Sequence, residues 1–231
     1  MSTPIIVIIA LSLFAVIAYL IYYYLPKTII LRRLKNLPSQ RIGSLKTNTY
    51  SKTEGTALNI EAPLIAPLSK RKCVFYKMKI QKKVSSGKNS HWKTIVNEEH
   101  IQDFFIEQMG ERMVVLPTKE PKNYYDYLVT DKKASVSLFK ELTPEFEALL
   151  NSYNIKTENL FGFNKQLRYT EAIVEVGEEI TVAGYVNWQK LDNPVKDYSY
   201  SSIAAITSKG KDKILITDSP DALKPKHGRI K

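Results

Sequence analysis

Cysteine is nearly absent: Cys73 is the only one in 231 residues. No disulfide can therefore close within the chain, and no zinc site built from several thiolates can be assembled from it. Histidine is also scarce, with His91, His100 and His227 scattered and no His-Glu-x-x-His pattern among them. The nine glycines form neither a Gly-x-Ser-x-Gly elbow nor a phosphate-cradling loop. No charged side chain precedes Lys27. Acidic residues are too few to balance the basic ones, so the net charge of +11 falls entirely on the part that follows. These absences remove the familiar catalytic constellations. No catalytic residue, metal site or cofactor is expected.

What is present begins with an uncharged apolar run, residues 4–25, from Pro4 to Leu25. At 1.5 Å per residue its ~21 apolar residues span about 30 Å, the thickness of a hydrocarbon core. Its apolar residues run all round the helix instead of forming a stripe, as in a lipid-facing segment. Tyr22, Tyr23 and Tyr24 end it, where amphipathic rings favour the interface. No basic leading region or small-residue cleavage site accompanies it, so an uncleaved transmembrane anchor is expected. Lys27, Arg32, Arg33 and Lys35 follow directly, and the positive-inside rule then predicts a single-pass protein with its soluble domain in the cytoplasm. Residues 26–41 form a basic juxtamembrane segment. Its helix is expected to run along the headgroups with Ile30, Leu31 and Leu34 on one side, until Pro38 stops it.

Residues 42–218 change to alternation. Cys73 to Val84 reads as a strand, with Val74, Tyr76, Met78 and Ile80 facing a core and Lys77, Lys79, Gln81 and Lys83 facing out. A hairpin loop is expected over 84–91, then a strand from Trp92, then strands over 102–107 and 112–116 around Met109-Gly110. The stretch 121–167 interrupts the sheet. Thr143-Pro144-Glu145 offers an N-cap and a first-turn proline, with Phe146, Leu149, Leu150 and Tyr153 at helical spacing. Strands resume over 171–176 and 180–188, with a final pair near 202–207 and 213–217. The fold class is therefore mainly β (α+β overall): an antiparallel, OB-like, partly open barrel with one inserted short helix. Residues 219–231 read as a mobile tail.

The lysine-bearing strand is the candidate binding surface, comprising Lys70, Arg71, Lys72, Phe75, Lys77, Lys79 and Lys83. Beside a bilayer it would attract anionic lipid headgroups, each cation adding about 1 kcal/mol. On a barrel, Phe75 with these cations could instead hold single-stranded nucleic acid by stacking and phosphate contacts. Glu98, Glu99, His100 and Asp103 form the densest metal-capable cluster, and their spacing at a strand end reads as a solvated edge. Cys73 opens a strand and is expected to pack as a small hydrophobe.

Several segments in order resemble the GIDE, or "beside a membrane", domain of mitochondrial RING-type ubiquitin ligases and bacterial membrane proteins. They are Glu54-Gly55, residues 62–68 (APLIAPL), residues 72–76 (KCVFY), Trp92, Phe104 to Pro117, Arg168-Tyr169-Thr170-Glu171, Gly177 and Gly184-Tyr185-Val186. The resemblance covers about Glu54 to Val186. It implies a membrane-adjacent β domain that binds partners and has no active site. It also implies structural roles for Arg168, Glu171 and Gly177, an Arg fork taking a carboxylate being one way to pin a strand. The family's aspartate after the Phe-x-Val/Leu pattern is absent from Phe104 to Gly110. A RING needs more zinc ligands than the one Cys and three His present, which excludes ubiquitin transfer by this chain alone. The expected function is a membrane-anchored, non-catalytic binding or scaffolding module with a protein partner that the sequence does not identify. The alternatives are a membrane-tethered nucleic-acid-binding barrel and a RING-less member of the ligase family completed by a partner.

Overall fold

Residues 3–87, 89–136, 143–156, 165–190 and 201–223 are described by the computed structural model. Helices are α1 (Thr3–Tyr23), α2 (Pro26–Lys35), α3 (Pro144–Ser152) and α4 (Pro220–Leu223). Strands are β1 (Tyr50–Asn59), β2 (Leu64–Ile65), β3 (Lys72–Ser86), β4 (Asn89–Ile101), β5 (Phe104–Gln108), β6 (Glu111–Val115), β7 (Tyr124–Tyr127), β8 (Lys132–Val136), β9 (Leu167–Glu175), β10 (Glu179–Lys190), β11 (Ser202–Thr207) and β12 (Ile214–Thr217). Strand accounts for 49% of the described residues and helix for 23%, so the mainly β reading holds.

Five strands close on themselves in the order β1-β5-β6-β11-β10 and back to β1, and β12 and β7 extend the sheet beyond β10. Closure depends on β1 changing partners. It pairs with β10 from Tyr50 to Thr56 and with β5 from Thr56 to Asn59. Gly55 sits at the crossover, where a Cβ would lie 2.5 Å from the Glu107 carbonyl oxygen and 2.8 Å from Ile106 Cγ2. Only a residue without a side chain lets the two backbones approach this closely. Gly55→Ala is expected to destabilise the fold by about 1–3 kcal/mol, as overpacking does, and a thermal melt of the variant measures it. The barrel interior is filled by Ala57, Phe104, Ile106, Met113, Val115, Ile180, Val182, Val186, Ala204 and Ile206.

A second sheet runs β2-β3-β9-β8, with β4 pairing on β3. β3 and β9 are long enough to serve both cores. Val74, Phe75 and Val174 enter the barrel core, whereas Met78, Ile80, Leu167 and Tyr169 pack under α3. α3 begins as its sequence predicts: Thr143 Oγ1 accepts from the Phe146 N–H at 3.4 Å and Pro144 opens the first turn. Phe146, Leu149 and Leu150 are its buried residues.

Several sequence expectations are corrected. The barrel-forming sheet is mixed, because β11 runs parallel to β6 and β12 parallel to β7, whereas the second sheet is antiparallel throughout. β11 and β12 do not pair with one another. Both lie antiparallel to β10, one beyond the other, with Thr207 opposite Tyr185 and Leu215 opposite Ala183. Two strands joined by a short polar turn read as a hairpin, but β10 is long enough to hold both in series. The expected loop over 84–91 is instead a ladder reaching Ser86↔Asn89, since polar composition does not prevent backbone pairing. The stretch 121–167 adds β7 and β8 to the helix. Residues 219–223 belong to the body, with Ala222 buried and Asp221 2.8 Å from Lys27, whereas 224–231 lie outside the described residues.

α2 is also not a free headgroup helix. Ile30 and Leu34 are buried against Ala183, Leu215 and Ala222, so its apolar side faces the β body. Among the residues described, no single helix is long and apolar enough to cross a membrane. Val7–Tyr23 and Pro26–Lys35 pass together as a pair bent by 66°. The helical backbone of α1 itself starts at Thr3 and has 21 residues.

Candidate functional site

Alternation along β3 separates two faces. Met78 and Ile80 point under α3, while Phe75, Lys77, Lys79 and Gln81 share the other side. That second side is not uniform along its length. At its start the barrel covers it, so Phe75 is fully buried and packs edge-on against Tyr124, ring centroids 5.7 Å apart. Phe75 is therefore removed from the binding surface: parity tells which face a side chain takes, not which stretch of that face another element covers.

One step out, Lys77 donates to Asp126 at 2.6 Å and lies 3.3 Å from Glu99. Lys122 donates to Glu99 at 2.6 Å and to Asp126 at 3.1 Å, and the Tyr124 hydroxyl also bonds Glu99. Burial works against the Lys77 charge, but the two carboxylates outweigh it and hold the ammonium above its ordinary pKa. Burial likewise opposes ionised Glu99, and the bonds from Lys122 and Tyr124 outweigh it and hold its pKa low. The network is internally neutral, so Lys77 is not a free cation for an incoming anion. Arg71 is similarly engaged, bonded to Asp131 and, at 2.9 Å, to Glu175. Lys70 sits exposed in the turn before β3 with φ 59°, and Lys72 is exposed at the strand's start.

Beyond Lys77 the face opens. Register places Asn97, Lys79, Thr170 and Lys133 in one row across β4, β3, β9 and β8, and Thr94, Gln81, Arg168 and Ser135 in the next. Lys83, opposite Trp92, lies further out on the β3–β4 arm. A groove of about 540 Å³ runs over these rows. A second cavity of about 300 Å³ shares Lys79 and Thr170 with it and reaches Pro26 at the start of α2.

Arg168 and Glu171 are structural in different ways, and not as a pair. Three residues apart on a strand, they face opposite sides. Arg168 Nε donates to Gln81 Oε1 at 2.7 Å and its guanidinium lies 4.3 Å from the centre of the Trp92 ring. Glu171 is fully buried and accepts from the Leu68 N–H at 2.9 Å, the Ser69 N–H at 3.2 Å and the Tyr169 hydroxyl at 2.6 Å. The arginine-to-carboxylate pin is thus replaced by a carboxylate that ties the turn before β3 to β9. Gly177 takes φ 95° in the turn between β9 and β10, a conformation open to glycine.

The acidic cluster on β4 splits by the same alternation. Glu99 enters the ion-pair network, Glu98 accepts from the Tyr153 hydroxyl at 2.8 Å, and His100 stacks on Tyr76, ring centroids 5.0 Å apart. Asp103 lies beyond the strand. Among the described residues no three His, Cys, Asp or Glu side chains converge as metal ligands do. Burial pushes the Cys73 thiol up to about 12, with Glu171 adding to it, so it stays protonated inside the fold.

Sequence reading missed Lys133 and Ser135, which join the rows only because β8 pairs with β9, and did not place Thr170 beside Lys79, where the β3–β9 pairing puts it. The run Lys132-Lys133-Ala134-Ser135-Val136 carries little strand signal of its own. It missed Asp126 and Tyr124 for the same reason. No protein-family model matches the chain, and no curated protein or solved structure matches it.

Proposed function

We propose that the chain is a membrane-anchored, non-catalytic binding module whose β body is held at the bilayer surface. The observation that carries this is the contrast between consecutive helices. α1 leaves its large apolar side chains open all round, among them Ile8 at 65%, Phe14 at 71% and Ile21 at 63% exposed, while α2 buries Ile30 and Leu34 in the body. Burying one such side chain is worth about 1.5–3 kcal/mol, and no other described element covers them. Counted over its whole backbone, α1 has 21 residues and at about 1.5 Å each is as long as a hydrocarbon core is thick.

The turn between the helices supports the same reading. Arg32 lies 3.9 Å from the Tyr23 ring centre, and its buried Nη1 has no hydrogen-bond partner among the described residues. Arg33 and Lys213 flank the Tyr125 ring at 4.9 Å and 5.1 Å. This cationic, aromatic collar suits a headgroup layer, and the basic flank after α1 favours a cytoplasmic body. The strands of the closed barrel, taken in chain order, follow one-two-three-five-four with the third and fifth parallel. That order supports an OB-like barrel. The resemblance to the GIDE domain makes partner binding beside a membrane the natural role.

Alkaline carbonate extraction tests the anchor. The intact chain is expected to stay with the membranes, and Phe14→Asp with Ile17→Asp to move it to the soluble fraction, since each central Asp costs about 2.5–3.5 kcal/mol. Release of the unmodified chain by carbonate would overturn the anchor. Digestion of the body by protease outside intact cells would overturn the cytoplasmic orientation.

A further inference from the structure

The groove across β3, β9 and β8 gathers three cations with no carboxylate against them. Lys79, Lys133 and Arg168 line it together with Gln81, Ser135 and Thr170. Among the described residues none of the three cations forms an ion pair, although Lys77, one row away, is neutralised by Asp126 and Glu99.

Arg168 is held by neutral groups. Its Nε donates to Gln81, Gln81 Nε2 in turn donates to Thr94 Oγ1 at 3.1 Å, and the guanidinium carbon lies over the Trp92 ring. An arginine fixed by an amide and a ring keeps its full charge and leaves Nη1 and Nη2 for a bidentate anion. Lys79 stands in the adjoining row on β3, and Lys133 faces it across Thr170. Two hydroxyls, Ser135 and Thr170, supply neutral donors between the cations.

We propose that this groove binds a phosphate monoester or diphosphate, carried on the headgroup of an anionic membrane lipid. A guanidinium fork with two ammonium groups and hydroxyl donors fits the charge and the several acceptor oxygens of a phosphate better than it fits a lone carboxylate. A volume of about 540 Å³ accommodates a headgroup. Stacked nucleic acid is disfavoured, because Trp92, the aromatic ring on this face, is already covered by Arg168. The lipid source follows from the adjoining cavity, which shares Lys79 and Thr170 and ends at Pro26, where α1 gives way to α2. The site is the binding half of the function proposed above, and its phosphate chemistry does not depend on whether α1 crosses a bilayer.

The test uses the full chain in two arms: inorganic pyrophosphate titrated into neutral detergent micelles, and phosphatidylcholine nanodiscs carrying the chain with or without phosphatidic acid. Tryptophan fluorescence is the readout, since an anion on Arg168 perturbs Trp92. Saturable binding is expected in both arms. Arg168→Gln and Lys133→Gln should each weaken it about tenfold or more, as loss of a charged hydrogen bond does. Lys211→Gln, an exposed change of the same charge elsewhere, should leave affinity within about twofold. Thermal melts of each variant confirm folding, and Lys133 is exposed and forms no ion pair among the described residues, so at least that variant reads binding alone. Absence of saturable binding in both arms, or equal weakening by Lys211→Gln, would overturn the site. Pyrophosphate binding with no response to phosphatidic acid would overturn the lipid source. The micelle arm needs no bilayer, so a failed anchor and a failed site give different results.

Discussion

Glu171→Ala is expected to destabilise the folded chain by about 3–5 kcal/mol, because it strips a fully buried acceptor from three donors at once. The Leu68 and Ser69 N–H groups belong to the turn between β2 and β3, and that turn has no side-chain acceptor other than Glu171 among the described contacts. The Tyr169 hydroxyl, buried under α3, would lose its partner as well. Removing the carboxylate leaves these donors dry and leaves a space where its oxygens stood. Glu171→Gln keeps one acceptor and should cost less, about 1–3 kcal/mol. For a chain of this size each kcal/mol lowers the melting temperature by about 2–4 °C, so the two variants are separable by thermal unfolding. Arg168→Gln should change stability much less than Glu171→Ala. Equal losses from the two would restore the idea that they act as a pair.

The second large effect is one of pH. Asp218 is almost fully buried, and both its oxygens accept from the Val129 N–H, at 2.8 Å and 3.1 Å. Burial pushes its carboxyl up from 3.8 to about 7, the Val129 bond opposes this, and Glu178 adds to it. The folded state therefore keeps a proton through a window in which the unfolded chain has released it. Folding stability is highest below that window and falls as pH rises from about 4 to about 7, by an amount on the order of 4 kcal/mol, then levels off. Asp218→Asn removes the titration. Denaturant unfolding of both chains across this range should show the wild type losing stability relative to the variant as pH rises. Parallel curves would show that the carboxyl is not protonated in the fold. The comparison with the variant is needed because the +11 chain gains further positive charge at low pH, and self-repulsion then works in the opposite direction.

Much of the secondary structure was legible because its signals are local. Thr143-Pro144 with apolar residues at helical spacing predicts α3, and Met109-Gly110, with φ 53° and 82°, predicts the turn between β5 and β6. The strand over Cys73 to Val84 was also legible as a strand. Its fate along the chain was not: Phe75, Lys77 and Lys79 share one face, yet the first is sealed by the barrel, the second neutralised from β7, and the third left open. β7 and β8 were missed because each is short and carries little alternation, and each is held in place by a neighbour distant in sequence.

The sequence by itself determined an apolar helix, a basic and mostly β body, and the lack of ligands for a RING, since these depend on composition and on periods of two and 3.6 residues. Only the tertiary structure decided that α2 lies against the body, that Glu171 ties a turn instead of pairing with Arg168, and that Lys133 meets Lys79 across Thr170. The physical reason is that charge pairing and burial are set by distances between strands. Those distances follow from which strands become neighbours, which no local pattern along the chain encodes.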